Sequence, residues 1–308
     1  MADSASRRLD RAESAFFARE NEFIKTKTYD AKPPALKGLT LVPIAGDVPE
    51  GVSEITYRRF NEAGEAKLIA DYAKDFPRVD VFGEEYTVKV KDFGDSYGYS
   101  IREIRESVRA GKRLDQRRAL AARRAHERNM NKITLLSDPV GDTFGVLDFP
   151  GITEATLPAD GTGGSKSWVN KDVDKILRDI NVMLDAVIQP TNGIEVPDTL
   201  LLPLSAFTLL TNTRLGDNTI SLMKYIRDNF PQITRIDWLN ELKGLGAGGT
   251  NRIFVGKFDS DHLENQIVNQ FEQLEVEHEG GEYTIPCISS TAGVIIYYPM
   301  AFAFADGV

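Results

Sequence analysis

Cysteine and histidine are scarce in this chain. Its 308 residues include one cysteine, Cys287, and three histidines, His126, His262 and His278. A single cysteine cannot form an internal disulfide, and the histidines offer none of the spacings at which proteins bind structural zinc. We therefore expect a fold that is stabilised by its hydrophobic core, without a disulfide framework or a zinc site.

Long apolar segments are also missing. The longest apolar run, residues 293–304, contains Pro299 and is shorter than the ~20 residues that span a bilayer. The N-terminal segment MADSASRRLDRAESAFFARE is charged throughout and lacks the apolar stretch of a signal peptide. These features predict no membrane contact and no export signal, and the run at 293–304 is typical of a buried strand.

Negative charge exceeds positive charge over the whole chain, but positive charge is concentrated in one segment. The net charge of −9 argues against a protein whose whole surface binds nucleic acid. Residues 101–130, however, contain nine arginines and one lysine against four acidic residues, a local balance of +6. This segment is either a solvated helix face or a basic surface for a polyanion such as DNA.

The N-terminal segment resembles an arm joined to a body. It carries mixed charge, with few apolar residues besides Phe16, Phe17, Phe23 and Ile24, and it runs into two prolines at 33–34. A segment of this composition cannot form its own core. It is either a frayed terminus or an arm that becomes ordered on a neighbouring subunit.

Residues 52–99 show the alternation of β-strands. Ile55 and Tyr57 lie in a first strand, a turn is expected at 61–64, and Tyr86, Val88 and Val90 alternate with polar residues in a later strand. The middle, residues 67–77, is short and amphipathic. An extended hairpin of this kind is marginally stable in water unless it packs on something else.

The remainder predicts an α+β fold. Ser100 with Glu103 forms a capping box at the start of a helix. Further helices are expected at 115–131, 169–187, 205–211 and 219–229, and strands at 199–202, 252–255 and within 274–304.

Short motifs of catalytic or nucleotide-binding proteins occur without their context. Gly244, Gly246 and Gly249 match GxGxxG, but they lead into a strand where that motif needs a helix. The loop 161–167 lacks the glycine that precedes lysine in a phosphate-binding loop. Ser221 and Lys224 match SxxK, without the companion motifs. We interpret all three as ordinary loop or helix sequence.

Two groups of titratable residues are also given structural interpretations. Asp259, Asp261 and Glu264 could bind a divalent cation, but Asp261 with Glu264 also predicts a capping box for a following helix. His126 and His278 have no Ser, Cys or second His at a diagnostic distance and are predicted to lie at the surface. The sequence thus predicts no catalytic residue, no cofactor site and no metal site.

Several segments, taken in order, resemble the HK97-type major capsid proteins of tailed phages. The matching segments are YGYSIRE at 97–103, GKRLDQRRALAA at 111–122 with Asn131, GVLDFPGI at 145–152 and NRIFVGKF at 251–258. The chain departs from the family at 148–150, where Asp stands in place of the Asn that often precedes the proline.

The resemblance implies an HK97-like fold with four parts. These are an N-terminal arm at 1–50, an E-loop hairpin at 51–98, a P domain at 99–150 and 265–308 with a long spine helix, and an A domain at 151–264. It implies no enzyme activity and no cofactor. The expected function is self-assembly, as hexamers and pentamers, into an icosahedral phage head that encloses double-stranded DNA.

The resemblance also implies the surfaces through which the subunit acts. The spine helix would turn its basic side towards the shell interior and the packaged DNA, with contacts that are not sequence-specific. The predicted inter-subunit contacts are Phe16, Phe17, Tyr57, Phe60, Tyr72 and Phe76. The predicted interior basic residues are Arg105, Arg109, Arg113, Arg117, Arg124 and Arg128.

Location and partners follow from the same resemblance. The expected location is the virion capsid, after assembly in the host cytoplasm, and portal, scaffolding or decoration proteins are candidate further partners. Two alternatives remain: an encapsulin-type nanocompartment shell with protein cargo, and a soluble α+β enzyme.

Overall fold

A computed structural model of the chain describes residues 35–63, 80–110, 117–138, 141–215 and 220–308. The amphipathic segment predicted at 67–77 and most of the predicted N-terminal arm lie outside these ranges.

Six α-helices and eleven β-strands occur in the described residues. The helices are α1 (Gly38–Leu41), α2 (Ile101–Ala110), α3 (Arg117–Leu135), α4 (Val173–Ile188), α5 (Leu204–Asn212) and α6 (Leu222–Asn229). The strands are β1 (Glu54–Ala63), β2 (Asp80–Lys89), β3 (Lys91–Ser100), β4 (Thr153–Glu154), β5 (Thr199–Leu202), β6 (Arg235–Trp238), β7 (Arg252–Gly256), β8 (Leu263–Gln273), β9 (Glu277–Glu279), β10 (Glu282–Ile296) and β11 (Phe302–Asp306).

A five-stranded mixed sheet in the order β4-β11-β7-β5-β6 forms the first core. The strand β5 has the sequence TLLL, and all four residues are buried, as expected for a strand that is covered on both faces. Helix α4 packs on this sheet through Ile176, Ile180 and Leu184, which recur at helical spacing. The helix was predicted at 169–187, and α4 begins at Val173, after the short 3-10 turn Trp168–Asn170.

A second sheet joins the spine helix to the hairpin. Strand β10 lies between β3 and β8, and β9 pairs with the first residues of β10. Helix α3 covers this sheet with a face that includes the buried Ala122, Met130 and Ile133. The strand β3 follows β2 with one intervening residue, so the hairpin is anchored through β3 in this sheet.

The strands β1 and β2 form a separate two-stranded ribbon of ten paired residues on each side. The turn predicted at 61–64 is wrong for its first three residues, because β1 continues to Ala63, which pairs with Asp80. A ribbon of this length extends for about 33 Å. Cross-strand pairs such as Arg58 with Glu85 at 2.7 Å and Thr56 with Thr87 at 2.9 Å connect its strands.

One further prediction needs correction. Residues 263–273 form the strand β8, so the helix predicted after Asp261 is wrong. The preceding turn is capped by Asp259, because its carboxylate accepts a hydrogen bond from the backbone N–H of His262. Pairing with β10 outweighs the weak local signal for a helix. Residues 302–306 form β11, which lies between β4 and β7 in the five-stranded sheet.

A buried ion pair holds the loop before α4 against that helix. The ammonium of Lys171 lies 2.6 Å from the carboxylate of Asp179, and neither side chain is exposed. Lys171 also donates to the carbonyl of Pro158, and the indole of Trp168 donates to Asp179. The loop at 161–167 lies between Pro158 and Trp168 of this structural network, which agrees with its interpretation as an ordinary loop.

Candidate interaction surfaces

The base of the β1–β2 ribbon carries a pair of tyrosines that face the body of the subunit. The rings of Tyr57 and Tyr86 stack with centroids 5.4 Å apart, and Tyr57 meets the ring of Tyr297 edge-on at 5.7 Å. Burial raises the pKa of Tyr57, and burial with a 2.9 Å hydrogen bond to Glu264 raises the pKa of Tyr297 well above its usual range. Both tyrosines are therefore neutral and act as packing groups.

An apolar groove of about 1000 Å³ lies between the ribbon base and the body. Four separate segments line it: the ribbon, the loop after α3, the loop after α4 and the end of β10. Large apolar side chains in its walls are exposed, with Ile194 at 79%, Tyr298 at 52% and Met300 at 51%. An exposed apolar surface of this kind is typical of an interaction site, either for another protein or for a ligand.

The polar wall of the groove includes one member of an acid–base cluster. Glu195 accepts from Nε2 of His262 at 2.8 Å, while Nδ1 of the same ring bonds to Asp259. Lys257 lies 3.8 Å from Glu195. Each imidazole nitrogen is occupied, and the described residues contain no group of three or more potential ligands arranged for a metal ion.

The prediction that His126 lies at the surface is wrong. Its side chain is 4% exposed, with Nδ1 at 2.7 Å from the hydroxyl of Ser289 and Nε2 at 3.0 Å from the carboxylate of Asp95. These three residue types form nucleophilic triads elsewhere, but Ser289 is completely buried, so a substrate cannot reach it. The constellation instead connects α3 to β3 and β10. His278, in contrast, is exposed as predicted and lies against Tyr283.

Helix α3 turns a continuous basic stripe towards solvent. Arg117, Arg124 and Arg128 recur at helical spacing, on the side opposite to the buried His126 and Met130. All three arginines are exposed. Arg124 and Arg128 form no ion pair within the described ranges, whereas the neighbouring Arg123 is paired with Glu127 at 3.1 Å.

The other two described arginines of the predicted basic set lie on α2. Arg105 and Arg109 are exposed, on one side of a helix whose acidic residues already have partners. Glu103 accepts from Arg118 at 2.8 Å, which lowers the pKa of Glu103, and Glu106 accepts from Arg102 at 2.9 Å. Arg113 lies outside the described residues.

The structure describes only two of the six predicted inter-subunit residues. Tyr57 lies in the groove wall. Phe60 belongs to β1, where it pairs with Gly83. Phe16, Phe17, Tyr72 and Phe76 lie outside the described residues.

The short motifs have structural roles. Gly244 and Gly249 have φ values of +72° and +76° in the loop before β7, a conformation that favours glycine. Ser221 is the N-cap of α6, where its hydroxyl accepts from the backbone N–H of Lys224 at 3.3 Å. Among the described helices, none is long and apolar enough to cross a bilayer.

Comparisons with known proteins agree with this architecture. The family model described as "Major capsid protein" matches residues 64–308. A search of curated proteins found no match. The capsid of Myoviridae phage XM1 superposes with a TM-score of 0.78 at 16% identity, over 94% of this chain and 98% of that one.

Two more distant solved structures share the fold. A chain of Mycobacterium phage Ogopogo gives a TM-score of 0.59 at 14% identity, over 93% of this chain and 96% of that one. A virus-like particle from Pyrococcus furiosus gives 0.55 at 15% identity, over 87% and 91%. With the family match, the spine helix and the hairpin, these likenesses confirm the predicted HK97-like fold, and the chain belongs to the major capsid protein family of shell-forming phage proteins.

Proposed function

We propose that this subunit assembles, as hexamers and pentamers, into an icosahedral phage head that encloses double-stranded DNA. The exposed apolar groove at the ribbon base carries the proposal, together with a ribbon whose outer edges have no described strand beside them. A two-stranded ribbon is marginal in water, and covering an apolar groove with protein is favourable because it removes apolar surface from water. Neighbouring subunits would supply both missing surfaces.

The proposed division of the chain follows the resemblance, with β11 reassigned. Residues 51–98 form the E-loop, 99–150 with most of 265–308 form the P domain, and 151–264 with β11 form the A domain. Helix α1 (Gly38–Leu41) packs in the core of its own subunit. The part of the arm that precedes it and the tip of the hairpin would reach neighbouring subunits, where Phe16, Phe17, Tyr72 and Phe76 would be buried. Tyr57 and Phe60 would contribute from the ribbon.

The role is structural, without catalysis or a cofactor. In the constellation that most resembles a catalytic site, Ser289 with His126 and Asp95, the Ser289 hydroxyl is buried away from solvent. Assembly takes place in the host cytoplasm, and a portal, a scaffolding protein or a decoration protein would join the shell by contacts that this chain does not define.

The stripe on α3 is the proposed surface for packaged DNA. Arg117, Arg124 and Arg128 project from one side of the helix, with the exposed Lys132 one turn beyond. Such side chains neutralise phosphates without reading sequence, and their binding weakens steeply with salt. Arg105 and Arg109 lie on α2 around an exposed valine, and we propose a protein partner for them below.

Substitution in the groove tests the assembly proposal. We expect Ile194→Asp to prevent closed particles in negative-stain electron microscopy and light scattering, while circular dichroism stays unchanged. Val169→Asp is the matched control, because Val169 is a similarly exposed aliphatic residue at 75% and lies outside the groove. Particles from Ile194→Asp as abundant as those from the wild type would remove the groove from the assembly interface.

A salt titration tests the DNA surface separately. For unassembled subunits and duplex DNA, replacing Arg124 and Arg128 with alanine should reduce the slope of log K against log salt by about 2. Arg123→Ala, which removes an arginine already paired with Glu127, should have little effect. If purified particles contain an enzyme and no DNA, the encapsulin-type alternative is correct.

A further inference from the structure

Helix α2 has an apolar and cationic face that nothing covers within the described part of the chain. Ile101 and Ile104 are half-buried at its start, but Val108, on the same stripe, is 77% exposed. Arg105 and Arg109 run along one edge of this stripe and form no ion pair with any described residue. An exposed aliphatic side chain bordered by unpaired arginines suits a protein partner with acidic residues around an apolar centre.

The β9–β10 hairpin offers the complementary surface. Its turn is Gly280-Gly281, with φ values of +59° and +101°, and Glu279 lies directly opposite Glu282 across the two strands. Like charges in directly opposed positions destabilise a hairpin. Glu277 lies on the same face as Glu279, and all three glutamates are exposed and form no ion pair with a described residue.

Apolar side chains accompany these acids. Val276, immediately before β9, is 57% exposed, and Leu274 is 39% exposed. The hairpin therefore carries negative charge with exposed apolar side chains at its base, while the face of α2 carries positive charge beside an exposed valine. The charges of the two surfaces are complementary.

The two surfaces are close in one subunit but do not pair there. The backbone N–H of Ile101, at the start of α2, donates to the carbonyl of Gly281 in the hairpin turn at 2.9 Å. Arg105 and Arg109 lie about 6 and 12 Å further along the helix axis, and neither forms an ion pair with the hairpin carboxylates of its own chain. Both sets of charges are left for another molecule.

We propose that the β9–β10 hairpin of one copy docks on the α2 face of a neighbouring copy. Glu277, Glu279 and Glu282 pair with Arg105 and Arg109 of the second copy, and Val276 packs on its Val108. This contact rests on the proposed shell. It is heterologous: the hairpin of each subunit contacts the α2 face of the next subunit around a closed ring. A nucleic acid would gain nothing from Val108, which favours the second copy as the partner.

Charge reversal with rescue tests this contact. We expect Arg105→Glu with Arg109→Glu to reduce the yield of particles at least tenfold, and Glu279→Arg with Glu282→Arg to do the same. Combining the four substitutions restores the attraction, so the yield should return to within about threefold of wild type. Lys224→Glu with Arg227→Glu, an equal charge change on the exposed side of α6, is the control.

Cross-linking gives a second measurement that does not require closed particles. Val108→Cys with Val276→Cys should form disulfide-linked multimers in a concentrated solution, while either single variant stays monomeric on a non-reducing gel. The native Cys287 is buried and does not interfere. If wild-type particles form but neither rescue nor cross-linking occurs, the contact is refuted and the shell stands. If no particles form, the proposed function fails, and the absence of multimers would then refute this contact as well.

Discussion

The Lys171→Met substitution removes the charge from one side of a fully buried ion pair while it keeps most of the apolar volume. Removing one partner of such a pair costs about 3–5 kcal/mol, because the remaining charge stays buried. Asp179 retains two donors, the indole of Trp168 and the guanidinium of Arg178, both at 3.1 Å. We therefore expect a loss of about 3 kcal/mol, at the lower end of that range.

Urea unfolding of the unassembled subunit measures this loss, provided that the slope with denaturant is unchanged. Lys175→Met is the matched control, because the Lys175 side chain is 36% exposed and its carboxylate partner, Asp172, is 3.7 Å away. Exposed pairs contribute about 0–1 kcal/mol. Adding Asp179→Asn to Lys171→Met should cost much less than the sum of the two single losses. If Lys171→Met lost no more than Lys175→Met, the assignment of a buried, stabilising pair would be refuted.

Three further predictions concern pH, capping and packing. Arg178 lowers the pKa of Asp160 to about 2. The stability that the ionised carboxylate contributes is therefore present above its unfolded pKa and lost as pH falls from about 4 to 2. Acid unfolding of Asp160→Asn should lack this component, and acid unfolding profiles identical to those of the wild type would contradict it. Ser100→Ala removes a 3.1 Å cap of α2 and should cost about 1 kcal/mol in urea unfolding, whereas no change would mean that the cap is not formed in solution. Gly145→Ala places a methyl group against the backbone at the end of α3 and should lower the free energy of unfolding by about 1–3 kcal/mol. Gly46→Ala, whose methyl group points into open space, should be nearly neutral. Equal melting temperatures for the two variants would contradict this packing.

Local sequence patterns predicted the elements whose cause is local. Ser100 and Glu103 form the predicted capping box, with both reciprocal hydrogen bonds at 3.1 Å. The apolar stripe of α4 and the short run of β5 depend only on periodicity and on continuous burial. The helix and the strand lie where the sequence predicts them because neighbouring residues determine them.

Elements that depend on distant partners were missed or misread. The strand β6 has the sequence RIDW, and all four residues are only half-buried, so it carries no clear alternation. The strand β8 is rich in Asn, Gln and Glu, and its conformation is set by pairing with β10. His126 is buried because α3 packs on the sheet at that position, and only its spacing of four from Ala122 and Met130 could have indicated this.

The groove could not be predicted from the sequence for a related reason. Its walls come from segments that are far apart in the chain, and none of them has an unusual composition by itself. Tyr57 lies in the wall of this groove, and its burial by another subunit stays a prediction.

The position of β11 has a consequence for the order of events during synthesis. This strand lies between β4 and β7, yet it is made about 150 residues after β4 and pairs with it in parallel. Contacts that span so much of the chain form late. Until residues 302–306 have left the ribosome, the five-stranded sheet is incomplete, and β4 and one edge of β7 are unpaired. The subunit therefore cannot complete this sheet before residues 302–306 are translated, and partial chains are poor candidates for incorporation into a growing shell.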